Sequence, residues 1–402
     1  MFFTEMKGSK RMKVTQLKDI VNGVTSEVLG KENVVAEDLS NLVDVGNEIV
    51  DSENVDNYVK KLIDRIGSVV FVNRLYAGGV PSVLMDSWEF GSIVEKISAD
   101  MPEADVNDSW NLQDGQNYSQ DTFYQPKVSA KFFNSKVTFD VKLSFTTEQV
   151  KESFANVNEL NAFLSMLETG VENSMTVKLD GLIMRTINSM TGHTLNDGQA
   201  MQKVNLLAQY NQDNGTTLTA NKALRDKEFL KFASLVIKQY QARITTMSTL
   251  FNQGAKARFT NTDDVHTVLL SDFADTAEVY LMSDTVHNDT VALPAHETVP
   301  YWQGSGTAYG FNDISTIDVK IAGDDKTPKE IKQSGILGVM FDTNALGVSN
   351  LNQRTTTAYN ARAEFYTNFY KMDAGYFNDL NENFIVFYIS DTTAPATPAT
   401  GK

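Results

Sequence analysis

An apolar stripe with helical spacing, sustained for about forty residues, constrains this chain more than any other feature. It runs from Val150 through Phe154, Val157, Leu160, Leu164, Leu167, Val171 and Met175 to Leu179, Leu182, Ile187 and Met190, stepping mainly by three or four. Thr146 and Gln149 in front of it make a T-x-x-Q capping box, with Phe145 and Val150 at the staple positions around the cap. The spacing predicts one helix over Thr147 to Thr191, with Gly192 as its stop and Gly170 and Gly181 as points where it can bend. At about 1.5 Å per residue it would be on the order of 65 Å long, against three or four turns for an ordinary helix.

Strands precede this helix. Val137, Phe139, Val141, Leu143 and Phe145 alternate with Lys136, Thr138, Asp140, Lys142 and Ser144, the period-2 pattern of a half-buried strand. With Ser87 to Ile97 as a first leg and Ser135 to Phe145 as a second, the chain makes a long excursion. Its tip, Ala99 to Asp121, is polar and acidic, with Asp100, Glu103, Asp105 and Asp108 close together and Trp110 beside them. A two-stranded arm buries little of itself and calls for another chain to cover it.

A short helix is predicted over Ser52 to Gly67, followed by an apolar run, Val69 to Val72. After the long helix comes a polar stretch, Asn196 to Asn221. A second helical pattern follows at Phe229, Phe232, Ala233, Val236, Tyr240, Ile244 and Met247. Strands are then expected at Val268 to Leu270, Ile317 to Ile321, Ile336 to Phe341 and Phe384 to Ile389. The whole is an α+β chain that ends in a Pro/Thr/Ala tail from Asp391 to Lys402.

Composition narrows the function. A net charge of −16 repels phosphate backbones, which argues against a sequence reader of nucleic acid. Cysteine is absent, so disulfides, thiolate zinc sites and cysteine nucleophiles are excluded. The basic segment Met1 to Lys18 lacks the apolar core of a signal peptide, and no apolar run is long enough to span a membrane. The four histidines, His193, His266, His287 and His296, do not pair at metal-ligand spacing. The clusters Asp263-Asp264 with His266, and Asp284 with His287 and Asp289, read as polar loops before they read as hard-metal sites. Gly304-Ser305-Gly306-Thr307 has neither the spacing nor the lysine of a phosphate loop. The expectation is a protein with no catalytic site, no cofactor, no metal and no membrane contact.

Several short stretches carry a family likeness: Val43-Asp44-Val45-Gly46-Asn47, the run Leu62 to Val70, Gly91 to Ile97, and Gln149 to Phe154 at the start of the long helix. In this order they resemble major capsid proteins of the small podophages of the phi 29 group, and the element order resembles the Hong Kong 97-like capsid fold. The resemblance implies an N-terminal arm at 1–75, an E-loop with flanking strands at 76–146, and a peripheral domain with the spine helix at 147–224. An axial domain at 225–349, a return to the peripheral domain at 350–390 and a flexible tail at 391–402 complete it. It implies Trp88, Asp100, Glu103, Asp105, Asp108 and Trp110 as assembly residues of the E-loop, and Phe154, Leu160, Leu164 and Leu167 as packing positions of the spine. The implied partners are further copies of the chain in hexamers and pentamers, a separate scaffolding protein, a portal protein, and packaged double-stranded DNA held without sequence-specific contact. The expected location is the virion head, after assembly in the host cytoplasm. An encapsulin-type nanocompartment shell shares the fold and is the alternative; an enzyme of unknown class is the remote one.

Overall fold

The computed structural model describes Asn22 and residues 80–85, 94–99, 125–146, 157–283, 293–303, 314–322 and 327–391, with single positions and a short run between 101 and 123. The predicted helix at 52–67, the apolar run at 69–72, Phe154 and the capping box beyond Thr146 lie outside these residues. The long helix is present as α1, Val157–Asp197, 41 residues without interruption at Gly170 or Gly181. Two compact units divide the chain. Residues 1–81, 136–181 and 350–375 form the first, and residues 82–135, 182–349 and 376–402 the second.

Gly192 is not the helix stop expected of it. The helix continues six residues past Thr191, and a Cβ on Gly192 would stand 2.6 Å from Val319 Cγ2 and 3.2 Å from Ile321 Cγ2. Glycine is there because a strand lies against the helix, and a close approach needs the missing side chain as much as a turn does.

In the first unit the predicted strand is β4, Lys136–Thr146, whose odd-numbered residues are covered and whose even-numbered ones are exposed. It does not pair with the first leg of the excursion, as expected from sequence. It pairs antiparallel with β12, Phe365–Asn378, from Thr146 opposite Phe365 to Lys136 opposite Gly375. The strand order is β1-β11-β12-β4, in which β11, Leu346–Asn360, and β12 each run from one set of residues into the other, and β1, Leu84–Met85, pairs with Val348 and Ser349 within the second. Tyr366, Asn368, Tyr370, Met372 and Ala374 line the buried side of β12.

The core of the second unit is a five-stranded sheet in the order β5-β13-β10-β6-β7. Its strands are β5, Lys203–Asn205; β6, Val265–Leu270; β7, Glu297–Val299; β10, Ile336–Asp342; and β13, Phe384–Tyr388. All seven residues of β10 are buried, which explains why it reads as a continuous apolar run. Helix α4, Lys227–Ile244, is capped by Asp226, whose side chain accepts from the Phe229 N–H, and it buries Phe229, Ala233, Val236, Tyr240 and Ile244. Met247 lies past its end and is exposed.

Three short helices were hidden in the sequence. The stretch 196–221, read from sequence only as polar, contains α2, Leu206–Asn214, capped by Asn205 and closed by Gly215 in the left-handed region, and the start of α3, Ala220–Ala223. Helix α5, Ser271–Ser283, follows β6 directly. A hairpin of β8, Ile317–Ala322, and β9, Pro328–Gln333, lies against Gly192.

Candidate functional site

The arm of the second unit consists of β2, Val94–Ala99, and β3, Val128–Phe133, paired antiparallel from Val94 opposite Phe133 to Ala99 opposite Val128. The second leg of the excursion is therefore 128–133, not 135–145. Pairing separates the arm's residues into two faces. Val94, Lys96, Ser98, Ser129, Lys131 and Phe133 share one; Glu95, Ile97, Ala99, Val128, Ala130 and Phe132 share the other.

These faces reverse the usual arrangement. The polar face is turned to the protein: Lys131 Nζ lies 3.0 Å and Lys96 Nζ 3.4 Å from different oxygens of the Asp379 carboxylate, and Lys96 also donates to the Asn344 carbonyl. Ser98 and Ser129 hydroxyls meet at 3.0 Å across the strands. At the root the Phe133 and Phe377 rings pack with centroids 5.2 Å apart, and the Lys96 ammonium sits 5.0 Å from the centre of the Phe377 ring. The apolar face is turned to solvent, with Ile97 69%, Phe132 64% and Val128 61% exposed. Met101, Leu112 and Phe123, farther along the excursion, are exposed as well.

The root is rich in charge. Asp379 is almost wholly buried, and its N–H donates to the Ala345 carbonyl at 2.7 Å. Burial works to raise its carboxyl, but the Lys131 hydrogen bond, the Asn381 N–H and the charges of Lys96 and Lys131 together hold it below the usual carboxylate range. Glu382, 3.5 Å from Arg258, is pushed up by burial, with Asp342 and Asp379 adding to the effect and Lys96 and Arg258 opposing it.

Of the sequence-predicted residues, Trp88, Asp100, Glu103, Asp105, Asp108 and Trp110 lie outside the described residues. Leu160, Leu164 and Leu167 lie within α1. Sequence reading missed the apolar outer face because it assigned no faces to 94–99 and 128–133; the wet face it assigned, Lys136 to Ser144, belongs to β4 and is exposed as expected.

Of the remaining candidates for chemistry, Asp284, His287, Asp289 and the run 304–307 lie outside the described residues. His266 Nε2 lies 2.8 Å from the Thr343 hydroxyl, which donates to the Asp264 carbonyl at 3.0 Å. His296 Nδ1 lies 2.8 Å from the Pro294 carbonyl. Burial holds His193 below the ordinary imidazole range, with Asp197 opposing. Among the described residues no group of three His, Asp or Glu is placed to hold a metal ion, and no helix is long and apolar enough to cross a membrane.

A two-stranded arm, a long helix and mixed sheets in one chain are the elements of the Hong Kong 97-like phage capsid fold. The capsid structure of Staphylococcus phage Andhra matches with a TM-score of 0.50 over 79% of this chain and 85% of that one, at 13% identity, a likeness of fold. Residues 17–388 match the Phi29-like phage major capsid protein family, and the chain belongs to that family. Membership places it among structural shell proteins and not among enzymes. The major capsid protein of Bacillus phage GA-1 is 25% identical over 170 residues, 41% of this chain and 34% of that relative, so the match spans about a third of the relative's length.

Proposed function

We propose that the chain builds the head of a small tailed phage by associating with copies of itself as hexamers and pentamers around double-stranded DNA, with a separate scaffolding protein and a portal protein as partners. The observation that carries this reading is the reversed arm. A strand pair that spends its polar face on its own subunit and offers Ile97, Val128 and Phe132 outward gains from association what it does not gain from folding. Each buried aromatic or aliphatic side chain contributes about 1.5–3 kcal/mol, and a closed shell repeats the contact in every subunit.

In this reading residues 1–75 are an N-terminal arm, 76–146 the E-loop and its flanking strands, 147–224 and 350–390 the peripheral domain, 225–349 the axial domain and 391–402 a flexible tail. Trp88, Asp100, Glu103, Asp105, Asp108 and Trp110 act between subunits, and Phe154, Leu160, Leu164 and Leu167 pack the spine. The finished protein resides in the virion, and assembly takes place in the host cytoplasm. Electron microscopy after coexpression with the phage's other head proteins tests the reading. Closed shells are expected from the native chain, and from the double variant Ile97→Ser, Phe132→Ser a soluble subunit with few shells. A native chain that stays monomeric under these conditions overturns the proposal.

A further inference from the structure

Lys96 and Lys131 stand directly opposite each other on β2 and β3. Like charges in that position repel and destabilise a strand pair. Here the repulsion is met by one carboxylate that takes a lysine on each oxygen. Asp379 is itself fixed, by its N–H on Ala345 and by the Asn381 N–H on Oδ1 at 3.1 Å. Among the described residues the arm root is also held by the Phe133–Phe377 contact, the Lys96 contacts to Asn344 and Phe377, and the Tyr376 N–H donating to the Ser135 carbonyl at 3.1 Å.

We propose that the projection of the arm is set by a two-lysine clamp on Asp379, so that the arm is a lever held at its root chiefly by ions and freed when that carboxylate loses its charge. The inference rests on the reading of the arm as an assembly surface and concerns how that surface is presented. Neutralising Asp379 both removes the tie and leaves the two facing ammonium groups to repel each other. The groups around the clamp are Lys96 on β2, Lys131 on β3, Arg258 in the segment after α4, Asp342 at the end of β10, and Glu382 in the turn before β13. Their order of titration follows from their surroundings. Glu382, held above its ordinary range, takes up a proton first as the pH falls, and this removes a negative neighbour of Asp379 without touching the clamp. Asp379, held below its range, keeps its charge until the pH falls through its lowered value. The clamp therefore holds from neutral into mildly acidic solution and opens only in strong acid.

The absence of cysteine makes the test direct. Spin labels at Ala99→Cys, exposed on β2, and Thr246→Cys, exposed after α4, report the arm's position in the soluble full-length subunit by double electron–electron resonance. One narrow distance is expected in the otherwise native chain and in Glu382→Gln. Loss of that single distance to a broad distribution is expected in Asp379→Asn, with unchanged far-ultraviolet circular dichroism. Should Asp379→Asn not fold, the double variant Lys96→Gln, Lys131→Gln, which removes both ties to the carboxylate, gives the same reading. A narrow distance in the folded clamp variant overturns the inference even where shells form. Failure of the native chain to form shells sinks the assembly reading and leaves the distance measurement standing.

Discussion

Gly192 and Val319 meet so closely that the helix has no room there for one methyl group, at 2.6 Å from a built Cβ to Val319 Cγ2. Alanine favours a helix over glycine by about 0.8–1 kcal/mol, whereas forcing a methyl into a packed contact costs about 1–3 kcal/mol. Gly192→Ala is therefore expected to lose up to about 2 kcal/mol in urea denaturation. Gly170→Ala and Gly181→Ala, where a Cβ meets nothing within 4 Å, are expected to gain about 0.5–1 kcal/mol. Equal gains at all three would show that the β8–β9 hairpin yields at no cost.

Asp373 on β12 accepts from Arg354 on β11 and from the Thr138 hydroxyl on β4 at 2.6 Å, tying three strands together. The Arg354 hydrogen bond holds its carboxyl below the ordinary aspartate range; burial opposes this, and Thr138, the Arg354 charge and the Lys136 charge add to it. A carboxyl lowered by folding contributes stability above its unfolded value, and the contribution is lost as the pH falls through the folded one. Asp373→Asn is expected to cost up to about 1 kcal/mol at neutral pH, since Arg354 is partly exposed. The gap between variant and native chain should close in urea melts taken from about pH 7 to about pH 2. A gap that persists in strong acid would assign the loss to packing.

Leu164 lies inside α1. Leu164→Pro removes a backbone hydrogen bond and sets the ring against the preceding turn, at about 3 kcal/mol or more. Insoluble protein is the expected outcome on expression. A soluble variant with native helix content by circular dichroism would show that the helix tolerates a break in its first unit.

Asp100, Glu103, Asp105 and Asp108 lie in a stretch with no lysine or arginine between Lys96 and Lys127. Carboxylates so close repel one another and gain only when a neighbour's bases approach. Changing the four to Asn or Gln should leave the melting of the isolated subunit nearly unchanged and lower shell yield, or make assembly less sensitive to salt. Native yield and native salt dependence would show that they act only as solubilising charge.

Legibility followed the range of the interactions. The α1 stripe and the β4 alternation are local patterns with a period, and Val137, Phe139, Val141, Leu143 and Phe145 are covered as their spacing requires. The β12 strand has the same period, but Asn368 occupies one of its buried positions, and a polar residue there breaks the pattern to the eye. Helix α2 carries Asn and Gln on its outer turns, where propensity is weak and Leu206, Leu207 and Tyr210 alone bind it to the core. The partner of β4 was misjudged because strand pairing is a long-range choice, here across more than 200 residues, that no local spacing encodes. The arm's faces were not legible for a different reason: a sequence shows which residues are polar but not that an Asp379 lies beneath them.

The central sheet of the second unit carries one further consequence, for synthesis. Its strand β13 lies between β5 and β10, pairing Val386 with Lys203 on one side and with Val339 on the other, so an interior strand leaves the ribosome long after its neighbour β5. At roughly 5–20 residues per second, β5 waits on the order of 10–35 seconds for its neighbour. During that interval the sheet is open along the seam that β13 will fill, and Val204 and the β13-facing edge of β10 are without their partner. By topology, folding of this unit thus waits until β13 has been made. A nascent chain stalled before Phe384 should be protease-sensitive from end to end of the unit, however much of the sheet it already contains.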